Sequence, residues 1–289
     1  NMSRVILTTE SGADIPTELA KKHTIRIVPM HVIMDDVDHL DGSFPVTDLY
    51  DYYERTKKAP STTATNPNEY TAFFEKIRSE HPESSIVHIG YTSKASSSFQ
   101  SAVLAAEDFE NIYLIDALNV SGGLAAIVLY AADLLEKEPD IAVEKLVAAI
   151  EAVVPRMHFS FMPSGLEFLR AGGRVSNTAY LGASLLKIKP TIELIDGKLV
   201  SAKKYRGKMS RVVVDFFDDY LKAYAIDDNK LYLIHSLGLD EEIMTQMENY
   251  AKENGFRDVT WVQTGGVITS HGGPGAFGIA GIEKSGNTE

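Results

Sequence analysis

The sequence of 289 residues predicts an α/β protein of two α/β lobes, with mostly parallel sheets and a β-hairpin in the second lobe. Three observations support this fold class. Short apolar runs of strand length alternate with amphipathic runs of helical period along the chain. The strands Ile86–Gly90 and Asn111–Ile115 flank a helical run, which is a βαβ pattern and therefore predicts parallel pairing. Asp196-Gly197 lies between two strand-like runs and predicts a hairpin with a type I′ turn.

The lobe boundary is expected near Pro155, where the helical patterns give way to a strand, a short helix and a glycine turn. This gives an N-terminal lobe of residues 1–155 and a C-terminal lobe of residues 156–289, with a ligand between them. No repeat of fixed period and no low-complexity segment interrupts either part. The chain is long enough for each lobe to bury its own core.

The first elements of the chain have clear start and stop signals. Arg4–Thr8 reads as a buried strand, and Asp14 with Pro16 predicts a helix N-cap. Ile25–Met34 reads as a strand broken by Pro29. Val46–Thr56 is helical in pattern.

Two hydroxyl-rich stretches precede the next helices. Ser61–Thr63 is predicted to be a loop, after which Asn66 and Glu69 form a capping box around Pro67. Ser97 with Gln100 predicts a second capping box, for the helix between the paired strands.

The second half of the chain continues the alternation of helices and strands. Gly122–Leu135 is apolar on most sides and predicts a buried helix, and Asp140 is the expected N-cap of the next one. The elements expected after Pro155 are Met157–Met162 (strand), Ser164–Arg170 (helix), Thr191–Ile195 and Lys198–Ala202 (hairpin), Lys208–Tyr224 (helix), Lys230–His235 (strand), Asp240–Glu253 (helix) and Asp258–Gln263 (strand).

Composition excludes several classes of function. A net charge of −12 argues against a nucleic-acid or anionic-membrane binder, although a local basic patch is compatible with it. The chain has no cysteine, which excludes disulfides, thiolate metal sites and cysteine nucleophiles. No histidine spacing typical of zinc sites occurs, so no metal is expected. The N-terminal residues lack a signal-peptide pattern, and we expect a soluble, cytoplasmic protein.

The end of the strand Ile86–Gly90 is the first candidate binding site. Thr92 and Ser93 follow that strand, at the sheet edge where α/β proteins usually bind ligands. Their hydroxyls suit a carboxylate or a phosphate. Capping of the following helix explains Ser97 but leaves the other hydroxyls without a role. For Ser61–Thr63, taken alone, a purely structural role is favoured.

Two glycine-rich stretches are the other candidates. Gly172-Gly173-Arg174 is read equally well as an anion-binding turn and as a helix C-cap with a surface charge. Arg170 and Arg206 could bring further guanidinium groups to the same region. Ser270–Gly275 is expected to be a rigid loop that exposes His271 at its tip, where it could bind an oxyanion or act as an acid–base group.

Neither a dinucleotide fingerprint, a phosphate-binding P-loop nor a G-x-S-x-G nucleophile motif occurs in the sequence. No evident base–nucleophile pair is present. The inventory of hydroxyls, arginines, a histidine and glycine loops therefore indicates binding of an anion more strongly than bond breaking.

Six motifs, in order along nearly the whole chain, resemble the DegV family, whose members bind a fatty acid between two α/β lobes. They are Glu10–Asp14 (D-S-x-x-D, with Glu10 for Asp), Ser61–Thr63 with the following helix (T-S-Q-P-S), Thr92–Ala102 (S-S-x-L-S-G-T-Y-x-S-A), Phe168–Val175 (L-x-x-G-G-R-I), Leu186–Pro190 (L-x-x-K-P) and Ser270–Ala276 (H-x-G-P-G-A). The second and third motifs differ from the family pattern at several positions. These differences bear on which acyl chain is preferred more than on whether a carboxylate is bound.

The resemblance implies a noncatalytic, lipid-binding subunit of a bacterial fatty acid kinase. The fatty acid, lying in a buried tunnel, is the implied ligand, and no cofactor is implied. The implied carboxylate ligands are Thr62 (with Thr63 adjacent), Ser93 and His271, and Thr92 and Gly272 are counted with them as ligand-binding residues. Arg174 and Arg206 are implied in handling an acyl phosphate or in docking a separate ATP-dependent kinase subunit that makes acyl phosphate for phospholipid synthesis. A transient contact with the membrane is compatible with this role.

Two other functions remain open from the sequence. One is an acyl hydrolase or transferase that uses Ser93 and His271, which requires contact between them and a third orienting group. The other is a nucleotide or sugar-phosphate binder at the sheet edge. The sequence does not specify acyl-chain length, unsaturation, oligomeric state or the identity of the partner.

Overall fold

The computed structural model of the chain describes residues 5–176 and 188–286, and it confirms the α/β class. Its strands, numbered in chain order, are β1 (Val5–Glu10), β2 (Arg26–Val28), β3 (His31–Met34), β4 (Val37–Leu40), β5 (Ser61–Thr63), β6 (Ser85–Gly90), β7 (Ile112–Asp116), β8 (Met157–Met162), β9 (Ile188–Ile195), β10 (Lys198–Arg206), β11 (Leu231–His235), β12 (Val259–Gln263) and β13 (Phe277–Ile282). They form three sheets, of four, six and three strands.

Ten α-helices connect these strands in the described part of the chain. They are α1 (Thr17–Lys22), α2 (Thr47–Thr56), α3 (Pro67–Glu80), α4 (Ser98–Ala106), α5 (Ser121–Lys137), α6 (Val143–Val153), α7 (Glu167–Gly172), α8 (Met209–Ala223), α9 (Glu241–Glu253) and α10 (Gly266–Gly272). Most lie where the sequence predicts a helix, with ends displaced by a few residues. Among the described residues, no helix is both long and apolar enough to cross a membrane.

The four-stranded sheet is entirely parallel, in the order β2-β1-β6-β7. The predicted βαβ unit is confirmed, because β6 and β7 pair in parallel with α4 between them in the chain. The carboxyl ends of β1 and β6 therefore meet at one edge of this sheet.

The six-stranded sheet corrects one feature of the predicted fold. Its order is β10-β9-β8-β13-β11-β12, and four of its five pairings are antiparallel. The prediction of mostly parallel sheets is therefore wrong for this part of the chain. The one parallel pair of neighbours in this sheet is β11 and β12, which helix α9 connects in the chain. The strand β13 pairs antiparallel with both β8 and β11, an arrangement that no local pattern indicates.

The predicted hairpin is confirmed and is longer than expected, since β9 and β10 pair from Lys198↔Ile195 to Arg206↔Ile188. Asp196 and Gly197 have φ values of 50° and 81°, as a type I′ turn requires. Of the Leu186–Pro190 motif, residues 186 and 187 lie outside the described residues.

In the third sheet, β4-β3-β5, strand β5 lies where the sequence predicts a loop. Ser61–Thr63 pairs antiparallel with β3 as a short edge strand, so the loop prediction for this stretch is wrong. Its polar composition is that of a strand with one solvated face, which sequence alone does not separate from a loop. As a consequence, Thr62 lies on a paired backbone opposite Val32.

Helix α5 lies between the two larger sheets and packs against strands of both. Eleven of its seventeen residues are buried, as the apolar run predicts. One hydrophobic cluster includes Val87 on β6, Phe159 on β8 and Ile234 on β11. The cores on the two sides of residue 155 are thus continuous, and the division into lobes 1–155 and 156–289 stays a prediction.

One of the four predicted helix caps forms. Asn66 accepts a hydrogen bond from the Glu69 N–H and the Glu69 carboxylate accepts one from the Asn66 N–H, which confirms the capping box. The Ser97 capping box is wrong, because Ser97 makes no side-chain cap. The Ser96 hydroxyl accepts from the Ser98 N–H instead, and the Ser98 hydroxyl accepts from the Thr65 N–H at 3.0 Å.

The two aspartate caps are also wrong. Helix α1 begins after Pro16, and helix α6 begins after Ala142 rather than Asp140. Asp14 instead adopts a left-handed conformation (φ 55°), and its carboxylate is directed into the protein.

Candidate functional site

Thr62 and His271 form a hydrogen-bonded pair between two distant parts of the chain. The Thr62 hydroxyl on β5 lies 2.7 Å from Nε2 of His271 in the last turn of α10. The prediction that His271 is exposed at a loop tip is wrong, because Gly266–Gly272 is helical and Gly273 (φ 72°) ends the helix. A run of glycines typical of a loop here serves close packing and a helix end.

The other ring nitrogen of His271 is packed against Gly172 at the end of α7. A Cβ atom at position 172 would lie only 2.1 Å from Nδ1, so only glycine leaves room for the ring. Nδ1 is buried and has no hydrogen-bond partner among the described residues. The Gly-Gly turn therefore has a packing role beside the site, in addition to ending α7 at Gly173 (φ 63°).

The environment of His271 keeps its imidazole neutral. Burial, and then the positive charge of Arg174, lower the pKa of His271 to about 4. At neutral pH the ring therefore offers one N–H donor and one acceptor nitrogen. Together with the Thr62 hydroxyl it presents neutral hydrogen-bonding groups, and no fixed charge, to an acid head group.

An apolar cavity of about 40 Å³ begins at His271. Its walls carry apolar side chains from the six-stranded sheet, from helix α7 and from the residue before helix α5, among them Val120, Phe159, Phe161, Leu169, Ile192 and Leu199. Tyr91, Arg174 and Gly272 also line it. A cavity of this volume holds no more than a few water molecules. The cavity thus has the ring of His271, which is bonded to Thr62, at one end, and its apolar walls have to separate to admit a larger ligand.

Arg174 is close to this cavity and Arg206 is not. Arg174 is exposed, and its guanidinium donates a hydrogen bond to the Gly172 carbonyl at 2.8 Å. The Ser176 N–H donates to the Leu199 carbonyl, which fixes this segment near the turn end of β10. Arg206 lies seven residues farther along that strand, roughly 20 Å at the usual rise per residue. The guanidinium groups of Arg174 and Arg206 are therefore not brought to the same region.

Thr92 and Ser93 lie beside the hairpin turn. The Thr92 hydroxyl donates to the Gly197 carbonyl at 2.6 Å, which joins the end of β6 to that turn. Ser93 is exposed, and its N–H donates to the Asp116 carboxylate at 3.2 Å. Within the described ranges no hydrogen bond links Ser93 with His271, so the nucleophile–base pair required for a hydrolase is not formed.

Thr63 and Gly272 adjoin the central pair in the chain. Thr63 is exposed and pairs with His31 on β3. Gly272 lies at the boundary between the apolar cavity and a groove of about 220 Å³ on its other side. That groove is lined by aromatic and acidic side chains that include Tyr53, Glu54 and Phe168.

Two buried aspartates that no sequence pattern places at the site hold the helix that carries His271. The Gly265 N–H donates to Asp14 at 2.8 Å, and the Gly266 N–H donates to Asp41 at 2.9 Å. Asp14 also accepts from the Ser121 hydroxyl at 2.7 Å, which ties the start of α10 to the start of α5. No sequence signal indicates these contacts, because Asp14 and Gly265 are separated by 251 positions.

Burial raises the pKa of both carboxyl groups. The pKa of Asp14 is raised well above its usual value by burial, against the Ser121 and Gly265 hydrogen bonds, with a smaller contribution from the charge of Asp41. Burial likewise raises the pKa of Asp41, while hydrogen bonds from Ser11 and the α10 backbone oppose the shift. Both carboxyl groups lie at the N-terminus of α10, where the helix dipole favours negative charge. This position partly offsets the cost of burying them.

Glu10, at the end of β1, holds the cavity residue Tyr91. Its carboxylate accepts the Tyr91 N–H at 2.6 Å and the hydroxyl of Tyr70. His88 completes the buried network through Tyr70 and Thr8. Glu10, which stands for the usual aspartate of the N-terminal motif, is thus a structural residue behind the cavity.

One group of side chains has the spacing that a metal ion needs. Ligand atoms of His23, Asp133 and Glu136 lie within 4.8 Å of one another, although Asp133 also pairs with Lys230. None of these residues lines the cavity at His271.

Comparison with known proteins agrees with the motifs. A family model described as an uncharacterised protein of the DegV family matches residues 4–284. A DegV domain-containing protein of Caldanaerobacter subterraneus subsp. tengcongensis is 29% identical over 98% of this chain and 100% of its own length. A protein of Thermotoga maritima named fatty acid-binding protein is 26% identical over 97% of this chain and 99% of its own length.

Solved structures show the same fold. A DegV-family protein of Thermus thermophilus, described by its fatty acid binding, has a TM-score of 0.86 at 24% identity and covers 97% of this chain and 100% of its own. A DegV-family protein of Eubacterium eligens loaded with heptadecanoic acid has a TM-score of 0.84 at 19% identity, over 97% of this chain and 100% of its own. Because the family model spans nearly the whole chain and agrees with the six motifs, this protein belongs to the DegV family.

Proposed function

We propose that this protein binds a long-chain fatty acid, with the carboxylate at Thr62 and His271 and the acyl chain among the apolar residues behind them. It acts in the cytoplasm as a noncatalytic subunit that presents the acid to a separate ATP-dependent kinase subunit. The observation that carries the proposal is the Thr62–His271 pair at the polar end of an apolar cavity. The names of family members that bind fatty acids support it.

The energetics favour a binding role. Burial of an acyl chain contributes about 0.8 kcal/mol per CH₂, so a long chain is retained tightly without any chemical step. A head group held by neutral donors avoids the desolvation of a second buried ion. Thr62 and neutral His271 are donors of this kind.

The acyl chain enters by separating the walls of the cavity, because about 40 Å³ does not accommodate it. Ile192 and Leu199 belong to the hairpin, which is held at its turn by the Thr92 hydrogen bond to Gly197. A small displacement of the hairpin is the simplest way to widen the cavity.

The other candidate residues are assigned to the margins of the site. Thr63 and Gly272 adjoin the two central residues, and Gly272 lines the cavity. Thr92 and Ser93 directly follow the cavity residue Tyr91 and supply hydroxyls at the margin next to the hairpin.

The two arginines have different roles in this proposal. Arg174 lines the cavity close to His271 and is placed to stabilise the added charge of an acyl phosphate. Arg206 is exposed on β10 together with Lys203 and Lys204, and it belongs to a surface for the kinase subunit. A transient membrane contact, for release or uptake of lipid, is part of the same proposal.

The test is a two-stage experiment on natively purified protein. Mass spectrometry of the extracted lipid is expected to find long-chain fatty acid in the wild type and in Thr245→Val, an exposed control, and much less in Thr62→Val. The loaded wild type is then mixed with ATP, a bacterial fatty acid kinase ATP-binding subunit and hydroxylamine, which converts an acyl phosphate into a hydroxamate.

We expect hydroxamate only when the kinase subunit is present, and a lower rate in Arg206→Ala at unchanged lipid content. Wild-type protein that carries no fatty acid and takes up none would contradict the binding role. Hydroxamate formed by the protein with ATP alone would contradict the noncatalytic role.

A further inference from the structure

We infer that this site takes up a fatty acid together with one proton, which the carboxylate and His271 then share. The inference rests on the proposed function and adds to it a coupling between acid binding and pH. Its basis is the arrangement of buried donors and acceptors around the His271 ring.

The polar groups around His271 come from several elements. The groups that face the ring or lie next to it are Thr62 on β5, Tyr91 after β6 and Arg174 after α7, with Asp14 and Asp41 at the opposite end of α10 and Glu54 and Glu167 in the groove beyond Gly272. Only Arg174 carries a fixed positive charge among these groups. It is exposed and already donates to the Gly172 carbonyl.

The ring itself has too few donors for an anion. Nε2 of the ring is hydrogen-bonded to the Thr62 hydroxyl. The other nitrogen, Nδ1, is buried against Gly172 and has no hydrogen-bond partner among the described residues. In the neutral imidazole one of the two nitrogens has no hydrogen and repels an oxyanion. One added proton removes this repulsion, because it either makes both ring nitrogens donors or converts the carboxylate into a neutral acid that donates to the ring.

Electrostatics between the two groups favour the proton. The pKa of His271 is lowered to about 4 because burial and the charge of Arg174 oppose its positive charge. A carboxylate at hydrogen-bond distance acts in the opposite direction and brings the pKa of His271 back toward neutral. Burial at the same time favours the protonated form of the acid. The two groups therefore titrate as one coupled pair that retains a proton, whichever group holds it.

The measurable consequence is a linkage between pH and affinity. A soluble fatty acid anion that gains one proton on binding has an affinity that rises about tenfold for each unit by which the pH falls. An acid bound as an anion paired with Arg174 takes up no proton, and its affinity does not depend on pH over the same range.

The test is isothermal titration calorimetry of the delipidated full-length protein with dodecanoate at pH 7.5. Parallel titrations in phosphate and Tris, whose ionisation enthalpies differ, give the number of protons taken up. We expect about one proton per dodecanoate and about none for dodecan-1-ol, which has the same tail and no acid group. His39→Asn, which changes a histidine outside the site, is expected to leave the dodecanoate value unchanged.

Dodecanoate that binds with no proton uptake would overturn the inference while leaving the proposed function intact. A rise from near zero in the wild type to about one in Arg174→Gln would overturn it as well, by showing that Arg174 neutralises the acid. The absence of binding by dodecanoate and by long-chain acids would instead remove the proposed function on which the inference depends.

Discussion

Gly172→Ala is expected to lower the affinity for dodecanoate at least tenfold, which is about 1.4 kcal/mol or more of binding free energy. The added Cβ would lie 2.1 Å from Nδ1 of His271, far inside van der Waals contact. Either the ring turns away from Thr62 or α7 moves away from α10, and each change separates the donors of the site. Overpacking of this kind also costs about 1–3 kcal/mol of folding stability.

Titration calorimetry and thermal unfolding of the same sample separate the two effects. Gly286→Ala is the matched control, because a Cβ at position 286 meets nothing within 4 Å. A Gly172→Ala protein that binds dodecanoate as tightly as the control would show that the His271 ring does not need the position seen here.

Asp14→Ala is expected to lower the free energy of unfolding by about 2–3 kcal/mol and to weaken acid binding. The substitution leaves the buried Gly265 N–H and Ser121 hydroxyl without their acceptor and releases the start of the helix that carries His271. Asp14→Asn retains an oxygen for Gly265 and a polar group for Ser121, and it is expected to restore both properties.

The pH dependence distinguishes a buried charge from a simple hydrogen-bond acceptor. Because the pKa of Asp14 is raised in the folded protein, the folded state holds a proton more tightly than the unfolded state. Its contribution to stability is therefore full below the usual aspartate pKa and is lost as the pH rises through the folded pKa. Asp14→Asn should remove this part of the pH dependence and should be at least as stable as the wild type at pH 7.

Urea unfolding of wild type, Asp14→Ala and Asp14→Asn between pH 4 and pH 8 checks these expectations. Asp228→Ala, at an exposed turn, is the control. An Asp14→Asn protein as unstable and as poor in acid binding as Asp14→Ala would contradict the account, since the carboxylate charge itself would then be required.

Local patterns in the sequence were sufficient for the fold class and for part of the site. Asn66 with Glu69 and Asp196-Gly197 act over a few residues, and both structures form as predicted. Most of helix α5 is buried because apolar residues cover most of its sides. The glycine-rich stretch marks His271 as a candidate, the resemblance of motifs implies Thr62, and the structure brings the two together.

The features that sequence did not predict depend on distant contacts. The position of β13 between β8 and β11 is decided by packing of the whole sheet. The short strand β5 forms because β3 offers a free edge, although its own residues are polar. Asp14 looked like a helix cap, but its carboxylate instead accepts hydrogen bonds from the Gly265 N–H, near the other end of the chain, and from the Ser121 hydroxyl. The glycines around His271 looked like a loop because close packing and flexible turns use the same residue.

The position of the fatty acid head group is the central claim, and carbon-13 NMR of bound palmitate labelled at its carboxyl carbon tests it most directly. The wild type is expected to give one carboxyl resonance distinct from that of free palmitate. This resonance should shift in Thr62→Val and stay unchanged in Thr245→Val, because Thr62 is bonded to His271 at the head of the cavity while residue 245 is exposed on α9. A bound resonance that is identical in wild type and Thr62→Val would show that the carboxylate lies elsewhere.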